Sequence, residues 1–400
     1  MVKRDGRDPV VVAGARTPFG SFGGALKDVP AVALGGMAIR AALDRAGLGG
    51  EQVDYALMGM VVAAGAGQVP SRQATLKAGL PVTVPSDTIN KVCASSLRAV
   101  NLAAGLIRAG EIDVAVAGGM ENMNQAPYLL PGGRWGHRLG HGKILDATIQ
   151  DGLWCPVRDV HMGNHGDAMA REFKVPREEQ DAWAYRSHRR ALAAMNEGRF
   201  DRELVPVELP QKKGPPVLVK ADEPPRADTS LEKLSALRPA FAADGTITAG
   251  NAPGINDGAA ALVLMSRARA EAMGVRPIVS IVAAGAVSAD APYLATVPWL
   301  SAERAIKRAG LRPGDMALVE INEAFAVVAL VSARLGGWAE ERVNVDGGAV
   351  ALGHPIGASG ARILMHLAFE LQRRGEEFGV ACICSGGGQG EATVIRTETA

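Results

Sequence analysis

The chain has 400 residues, 48% of them hydrophobic and 21% charged, with a formal net charge of +1. This is the composition of a globular protein too long for one hydrophobic core. Interleaved acidic and basic residues exclude a broad field for nucleic acid, four cysteines without paired spacing exclude a disulfide framework or zinc knuckle, and no apolar run reaches the roughly 20 residues that span a bilayer.

In chain order, the polar segment 1–8 carries nothing like a secretory apolar region and leads into a buried strand at 10–15. Residues 32–46 have helical spacing, with Gly47 as the stop. Strands are predicted at 54–62 and 87–92, the second entering a helix that starts near Cys93. A further strand at 112–117 ends at Gly118-Gly119. From Glu121 to about Gly250 the chain turns richer in Pro, Gly, Trp, His and charge, with its clearest helix at 176–196; this reads as an insertion across a core. Strand character resumes at 259–265.

From Pro277 the early pattern recurs: strand 278–285, helix 301–309, strand 317–321, helix 323–335, strand 342–345, helix 360–373, and strands 379–384 and 391–396. Alternating strands and helices predict an α/β protein of two similar halves, the first interrupted by a loop-rich insertion.

Leu97, Val100, Ala104 and Ile107 share one helical face, which puts Cys93 at or just before the first turn. Unpaired N–H groups and the helix dipole there are expected to lower a thiol's pKa, and the thiolate is the nucleophile. The local context suits a buried apolar cysteine equally well. Cys155 and Cys382 have no such context and read as structural.

Near the C-terminus, Gly347-Gly348-Ala349-Val350-Ala351-Leu352-Gly353-His354-Pro355 sets one imidazole among small residues, and Ser359 is the expected cap of the helix that follows. Cys384-Ser385-Gly386-Gly387-Gly388 leaves a strand through a turn that can expose a thiol and aim backbone N–H groups at an oxyanion. Asn322-Glu323-Ala324-Phe325 offers an amide able to orient a water, or an ordinary helix cap. Taken singly, each of these motifs also has a purely structural reading.

Jointly and in this order, the Cys93 segment, Asn322-Glu323-Ala324-Phe325, Gly353-His354-Pro355 and Cys384-x-Gly386-Gly387-Gly388 resemble the thiolases, and the likeness runs from Ala15-Arg16-Thr17-Pro18 to the last strand. The segment 65–74, His161-Met162-Gly163 and Arg238-Pro239-Ala240-Phe241 resemble the acetoacetyl-CoA branch of that family.

The resemblance implies a duplicated α/β core in five layers (αβαβα) with an inserted loop domain. Its boundaries would be 1–120 plus 251–272 for the N-terminal half, 121–250 for a CoA-binding loop domain and 273–400 for the C-terminal half. It implies an acyltransferase, an acetyl-CoA C-acetyltransferase, that reversibly cleaves 3-ketoacyl-CoA with CoA or condenses two acetyl-CoA. It further implies a homotetramer in the cytoplasm that works in fatty acid metabolism, with acyl-CoA and CoA as partners and no metal, nucleic acid or membrane. Coenzyme A is then a substrate, and no resident cofactor is expected.

By the same likeness Cys93 is the acylated nucleophile, His354 takes its proton, and Cys384 is the acid/base at the α-carbon. His354 with a water held by Asn322 would form one oxyanion hole, and the N–H groups of Cys93 and Gly386 the other. Leu153, His161, Met162, Ala240, Phe241, Ala324 and Phe325 would line the pantetheine channel and acyl pocket, with Arg226 toward the nucleotide end. Two departures bear on chain length: Pro253 stands where the acetoacetyl-CoA branch has a serine, and residues 154–159 differ from the branch's small and aromatic residues. The competing readings are a broad-range degradative thiolase, a decarboxylating ketoacyl synthase and a non-catalytic acyl-CoA or lipid carrier. Cys384 and Asn322 argue against the synthase, and Cys93 against the carrier.

Overall fold

The computed structural model describes residues 5–398; Met1–Arg4 and the last two residues, the ends of the two predicted halves, lie outside it. The principal elements are β1 (Pro9–Arg16), α1 (Ala31–Ala46), β2 (Tyr55–Gly59), α2 (Pro70–Lys77), β3 (Ser86–Ile89), α3 (Ser95–Ala109) and β4 (Val114–Asn122). Then come α4 (Met162–Glu172), α5 (Arg177–Asn196), β5 (Asn256–Ser266), β6 (Val279–Ser288), α6 (Val297–Arg308), β7 (Leu318–Ile321) and α7 (Ala326–Gly336). The chain closes with α8 (Ser359–Arg374), β8 (Phe378–Ser385) and β9 (Gln389–Thr397).

These strands form one mixed sheet in the order β7-β8-β9-β6-β1-β5-β4-β2-β3. The β1–β6 seam rests on only two pairs, Val10 with Ser280 and Val11 with Val279, so the sheet has two arms. Each arm runs first strand, last strand, penultimate strand, then the remainder, with a parallel pair at its outer end. The halves are therefore topological duplicates.

Both faces of both arms are buried, and the period-2 alternation of strand side chains sorts residues between layers. Val10, Met58, Val116 and Val263 face α1 with Leu34, Ile39 and Leu43. Their neighbours Val11, Leu57, Ala117 and Leu264 face α3 and α8, as do Ile281, Ile383 and Ile395 from the other arm. Val319, Val380 and Val394 face α6 and α7. The result is five layers, αβαβα, with α3 and α8 in the centre. Gly47 ends α1 in the left-handed conformation at φ 68, the role expected of it.

Three expectations need correction. The strand expected to end at Gly118-Gly119 continues through them to Asn122. Both glycines serve close packing: a Cβ would sit 2.1 Å from the Ala260 carbonyl at Gly118 and 1.9 Å from that of Gly357 at Gly119. The strand expected at 342–345 is a single bridge between Val319 and Val343. Asn344 turns to φ 48, and its carboxamide accepts from Ile321 N–H and donates to Ile321 C=O, replacing the ladder with a side chain. Ser359 is not a cap but the first helical residue of α8, and its hydroxyl is committed elsewhere.

A buried charge network pins the insertion to both halves. Arg16, at the end of β1, donates to Glu203 at 2.8 Å and in bidentate fashion to Asp222 at 2.7 and 2.9 Å. His366 of α8 lies 2.6 Å from Glu203 and 3.3 Å from Asp346, which Arg199 also reaches. Burial works against the charged imidazole, but Glu203 and Asp346 overcome it and raise His366 to about 10. Arg16→Met, which leaves the buried Asp222 without its cation and Glu203 with His366 alone, is expected to cost about 3–5 kcal/mol, read as a lower urea midpoint. The sign for His366 follows from its raised value. Its contribution is complete below the unfolded pKa near 6.5 and fades as pH rises through about 10. The melting temperature should therefore fall on the alkaline side, and less so in His366→Gln.

Candidate active site

The turn between β3 and α3 carries Cys93. Asn90 Oδ1 accepts the Val92 N–H at 3.0 Å, Ser95 Oγ accepts from Lys91 N at 2.9 Å, and Ser95 donates to Val92 C=O at 2.6 Å. These bonds hold Val92, a β-branched residue, at φ 44, a conformation that costs free energy and persists only where its surroundings enforce it. Cys93 therefore leaves the sheet on a strained corner, two residues before the first residue of α3.

His354 is fixed from three sides. Its N–H donates to Asn256 Oδ1 at 2.9 Å, and Asn256 is itself anchored to Gly20 C=O at 2.9 Å. Its Nδ1 lies 2.6 Å from Ser359 Oγ, whose single proton goes to Pro355 C=O at 2.8 Å. The tautomer that satisfies both contacts has Nδ1–H donating to Ser359. Nε2 is left as the acceptor, 3.4 Å from the Asn322 amide nitrogen. Burial, reinforced by the charge of Arg362, lowers His354 to about 3, so the ring is neutral at physiological pH, with its Nε2 lone pair engaged only by the long Asn322 contact.

Cys384 is the penultimate residue of β8, at that strand's C-terminal end, with Gly386 in the hairpin turn to β9. Burial, with the neighbouring Cys93 sulfur, raises its thiol well above the usual range. Cys93 corrects an expectation. Burial, with Glu121 as a lesser contributor, pushes this thiol up to about 12 rather than down. The N–H groups expected to stabilise a thiolate are already used: Ala94 N donates to Lys91 C=O at 3.1 Å and Ser95 N to Val92 C=O at 3.0 Å. In the free protein both sulfurs are thiols, and ionisation must be coupled to proton transfer.

One cavity of about 270 Å³ gathers these groups. Cys93, His354, Cys384 and Gly386 open onto it, and Leu153, His161, Met162, Phe241, Ala324 and Phe325 form much of its wall. His161 stacks on Phe241 at 4.5 Å between centroids. Pro253, flagged from the sequence, is also in the wall. Asn322 stands behind His354 and is fully buried; its Oδ1 has no partner among the described residues, as suits an amide oxygen that takes a water. Ala240 and Arg226 lie outside this cavity, both exposed. Cys155 is buried away from the cavity wall, and Cys382 faces the packing between β8 and the outer helices.

Sequence reasoning missed three supporting side chains. Asn256, the first residue of β5 just after the insertion, holds His354, and nothing in its local sequence signals that. Glu121, buried at the end of β4, accepts from Val61 N at 3.0 Å and Val62 N at 3.2 Å beneath Cys93, and burial raises it to about 7. Glu323 accepts from Trp183, Ser187, Asn344 and Val350 N at 2.8–3.0 Å, tying α5 to the Asn322 loop. Among the described residues no cluster of three or more His, Cys, Asp or Glu side chains is arranged to hold a metal ion, and no helix is long and apolar enough to cross a membrane.

A thiol on a strained corner, a neutral imidazole on the same cavity wall, and a second thiol beside backbone N–H groups can together perform acyl transfer through a thioester. Comparison with known proteins points to the same chemistry. Residues 9–268 match the thiolase N-terminal domain and residues 275–397 the thiolase C-terminal domain. An acetyl-CoA acetyltransferase of Pseudomonas aeruginosa is 48% identical, over 98% of this chain and all of the relative. That of Cupriavidus necator is 49% identical with the same coverage. The crystal structure of the Bacillus anthracis acetyl-CoA acetyltransferase superimposes with a TM-score of 0.95 at 40% identity, covering 98% of this chain and 99% of the other. The two domains in order, the full-length likeness and the shared fold leave one assignment: the chain belongs to the thiolase family.

Proposed function

We propose that the chain is an acetyl-CoA C-acetyltransferase that interconverts acetoacetyl-CoA plus CoA with two acetyl-CoA. The observation that carries the reading is the convergence of Cys93, His354 and Cys384 on one apolar cavity. In the cleavage direction, Cys93 gives its proton to His354 Nε2 as Sγ attacks the 3-keto carbon. Collapse of the alkoxide breaks the C2–C3 bond. The departing enolate takes a proton from Cys384, giving acetyl-CoA and leaving acetyl-Cys93, a Cys384 thiolate and an imidazolium. Incoming CoA yields its thiol proton to Cys384 and attacks the thioester, and the released Cys93 sulfur recovers its proton from His354. A barrier that would otherwise need a free enolate is split into two steps. His354 with a water on Asn322 would stabilise one oxyanion, and the N–H groups of Cys93 and Gly386 the other.

Segment 121–250 serves in this reading as the CoA-binding loop domain, between a first half of 1–120 plus 251–272 and a second half of 273–400. Arg226, exposed on that segment, suits the nucleotide end by its charge. Coenzyme A acts as substrate, and no resident cofactor is invoked. The protein would work as a cytoplasmic homotetramer in fatty acid metabolism. In support of assembly, a two-strand ribbon (Tyr128–Leu129 with Leu145–Asp146) carries a loop whose Trp135 and Leu139 are 89% and 98% exposed, apolar surface suited to another copy.

The test is CoA-dependent cleavage of acetoacetyl-CoA beside medium-chain and 2-methyl 3-ketoacyl-CoA. Preference for acetoacetyl-CoA is the expected result. Equal or better turnover of the longer substrates would move the protein to the broad-range thiolases and make Pro253 and residues 154–159 the first positions to exchange.

A further inference from the structure

We propose that Lys91 is a positioning residue for this reaction: it is the hub through which the hairpin bearing Cys384 is clasped to the corner bearing Cys93. The inference rests on the acyltransfer reading and adds a residue to it. Two side chains of the β8–β9 hairpin grip Lys91. Ser385, adjacent to Cys384, donates its hydroxyl to the Lys91 carbonyl, and Glu391 of β9 accepts from Lys91 Nζ at 2.7 Å. One grip is on the backbone and the other on the ammonium, so both the position and the orientation of the turn are set two residues before the nucleophile.

The clasp is built for rigidity. Ser385 is 1% exposed, and the side chain of Glu391 is equally buried. The other oxygen of Glu391 accepts from Asn101 of α3 at 2.8 Å, and Asn101 accepts from Thr393 at 2.8 Å. One side of the hairpin is thus stapled both to the corner and to the helix that follows it. Gly386 completes the fit, since a Cβ there would come 3.3 Å from the strained Val92. The N–H groups of Cys93 and Gly386 sit on opposite sides of this junction, as do the two sulfurs. A shift of about an ångström there can cost on the order of 100-fold in rate with no group removed.

The experiment uses the full chain and three variants: Lys91→Met, Glu391→Gln and the double Lys91→Met/Glu391→Gln. Removing Lys91 alone leaves the buried Glu391 carboxylate with only the longer contact to half-exposed Arg98 at 3.7 Å, whereas the double variant leaves no buried charge and keeps an amide oxygen at 391 to accept from Asn101. Condensation of acetyl-CoA should fall by about 10- to 100-fold in kcat in every variant, with KM for acetyl-CoA unchanged. The rate of Cys93 alkylation by iodoacetamide should be unaltered. The melting temperature should drop in the single variants and recover in the double one while kcat does not. Recovery of kcat together with stability would reduce the clasp to a structural contact and overturn the proposal, as would a KM rise or an alkylation loss matching the fall in kcat. A wild-type protein that condenses no acetyl-CoA would instead overturn the proposed function itself.

Discussion

Replacing Cys384 with Ser is expected to leave acylation of Cys93 by acetyl-CoA in place while condensation falls by roughly 10²–10⁴-fold. The separation follows from where the groups stand. Acylation draws chiefly on Cys93, on the lone pair of His354 and on backbone N–H groups; Cys384 there only protonates the departing CoA thiolate, a good leaving group that solvent can protonate instead. Carbon–carbon bond formation needs in addition a base at the α-carbon, and Cys384 is the second thiol on the cavity wall. Burial already holds that thiol well above its ordinary range, so it gives up its proton only when another group receives charge in the same step. A hydroxyl is less acidic still and cannot stand in. Stopped-flow release of CoA beside steady-state formation of acetoacetyl-CoA separates the two steps. Equal losses in both, or unimpaired condensation, would remove the role given to Cys384.

Cys93→Ala is expected to abolish the acyl-enzyme and to lower cleavage of acetoacetyl-CoA by at least ~10⁴-fold, because the covalent route is lost outright. The fold should tolerate the change. The corner is held by Asn90, Ser95 and the carbonyls of Lys91 and Val92, not by the sulfur, and alanine fits any space the thiol occupies. A melting temperature close to wild type alongside the activity loss would show that the thiol acts chemically. Appreciable turnover in Cys93→Ala would direct attention to Cys384 as an alternative nucleophile.

Much of this architecture was legible in the sequence, and the reason differs from element to element. The strands of the sheet's interior have both faces covered, so they read as apolar runs with β-branched residues, and 10–15 and 259–265 stand inside β1 and β5. Duplication showed because each half repeats the same strand and helix order. Gly118-Gly119 misled because glycine marks turns by composition alone, while here it makes room for the carbonyls of Ala260 and Gly357. Segment 342–345 misled because Asn344 replaces a backbone ladder with its own carboxamide, which periodicity cannot register.

The site divides in the same way. Cys93, His354 and Cys384 lie in small-residue turns at element ends, where motif spacing is visible, and the fold brings all three to one cavity. What holds them was not legible. Asn256 reaches His354 across 98 residues, and Glu391 reaches Lys91 across 300. The thiol acidity was misjudged for a related reason. A helix N-terminus acts on a nearby anion only if its N–H groups are free, and the carbonyls of Lys91 and Val92 had already taken those nearest Cys93.

The most direct test of the two-thiol account is peptide mass mapping of the wild-type protein and Cys384→Ser after brief mixing with acetyl-CoA and an acid quench. Both proteins should carry the mass of one acetyl group on the peptide containing Cys93 and none on the peptide containing Cys384, with the label persisting in the variant. An acetyl group on Cys384, or no acylated cysteine in either protein, would contradict the assignment of Cys93 as the nucleophile.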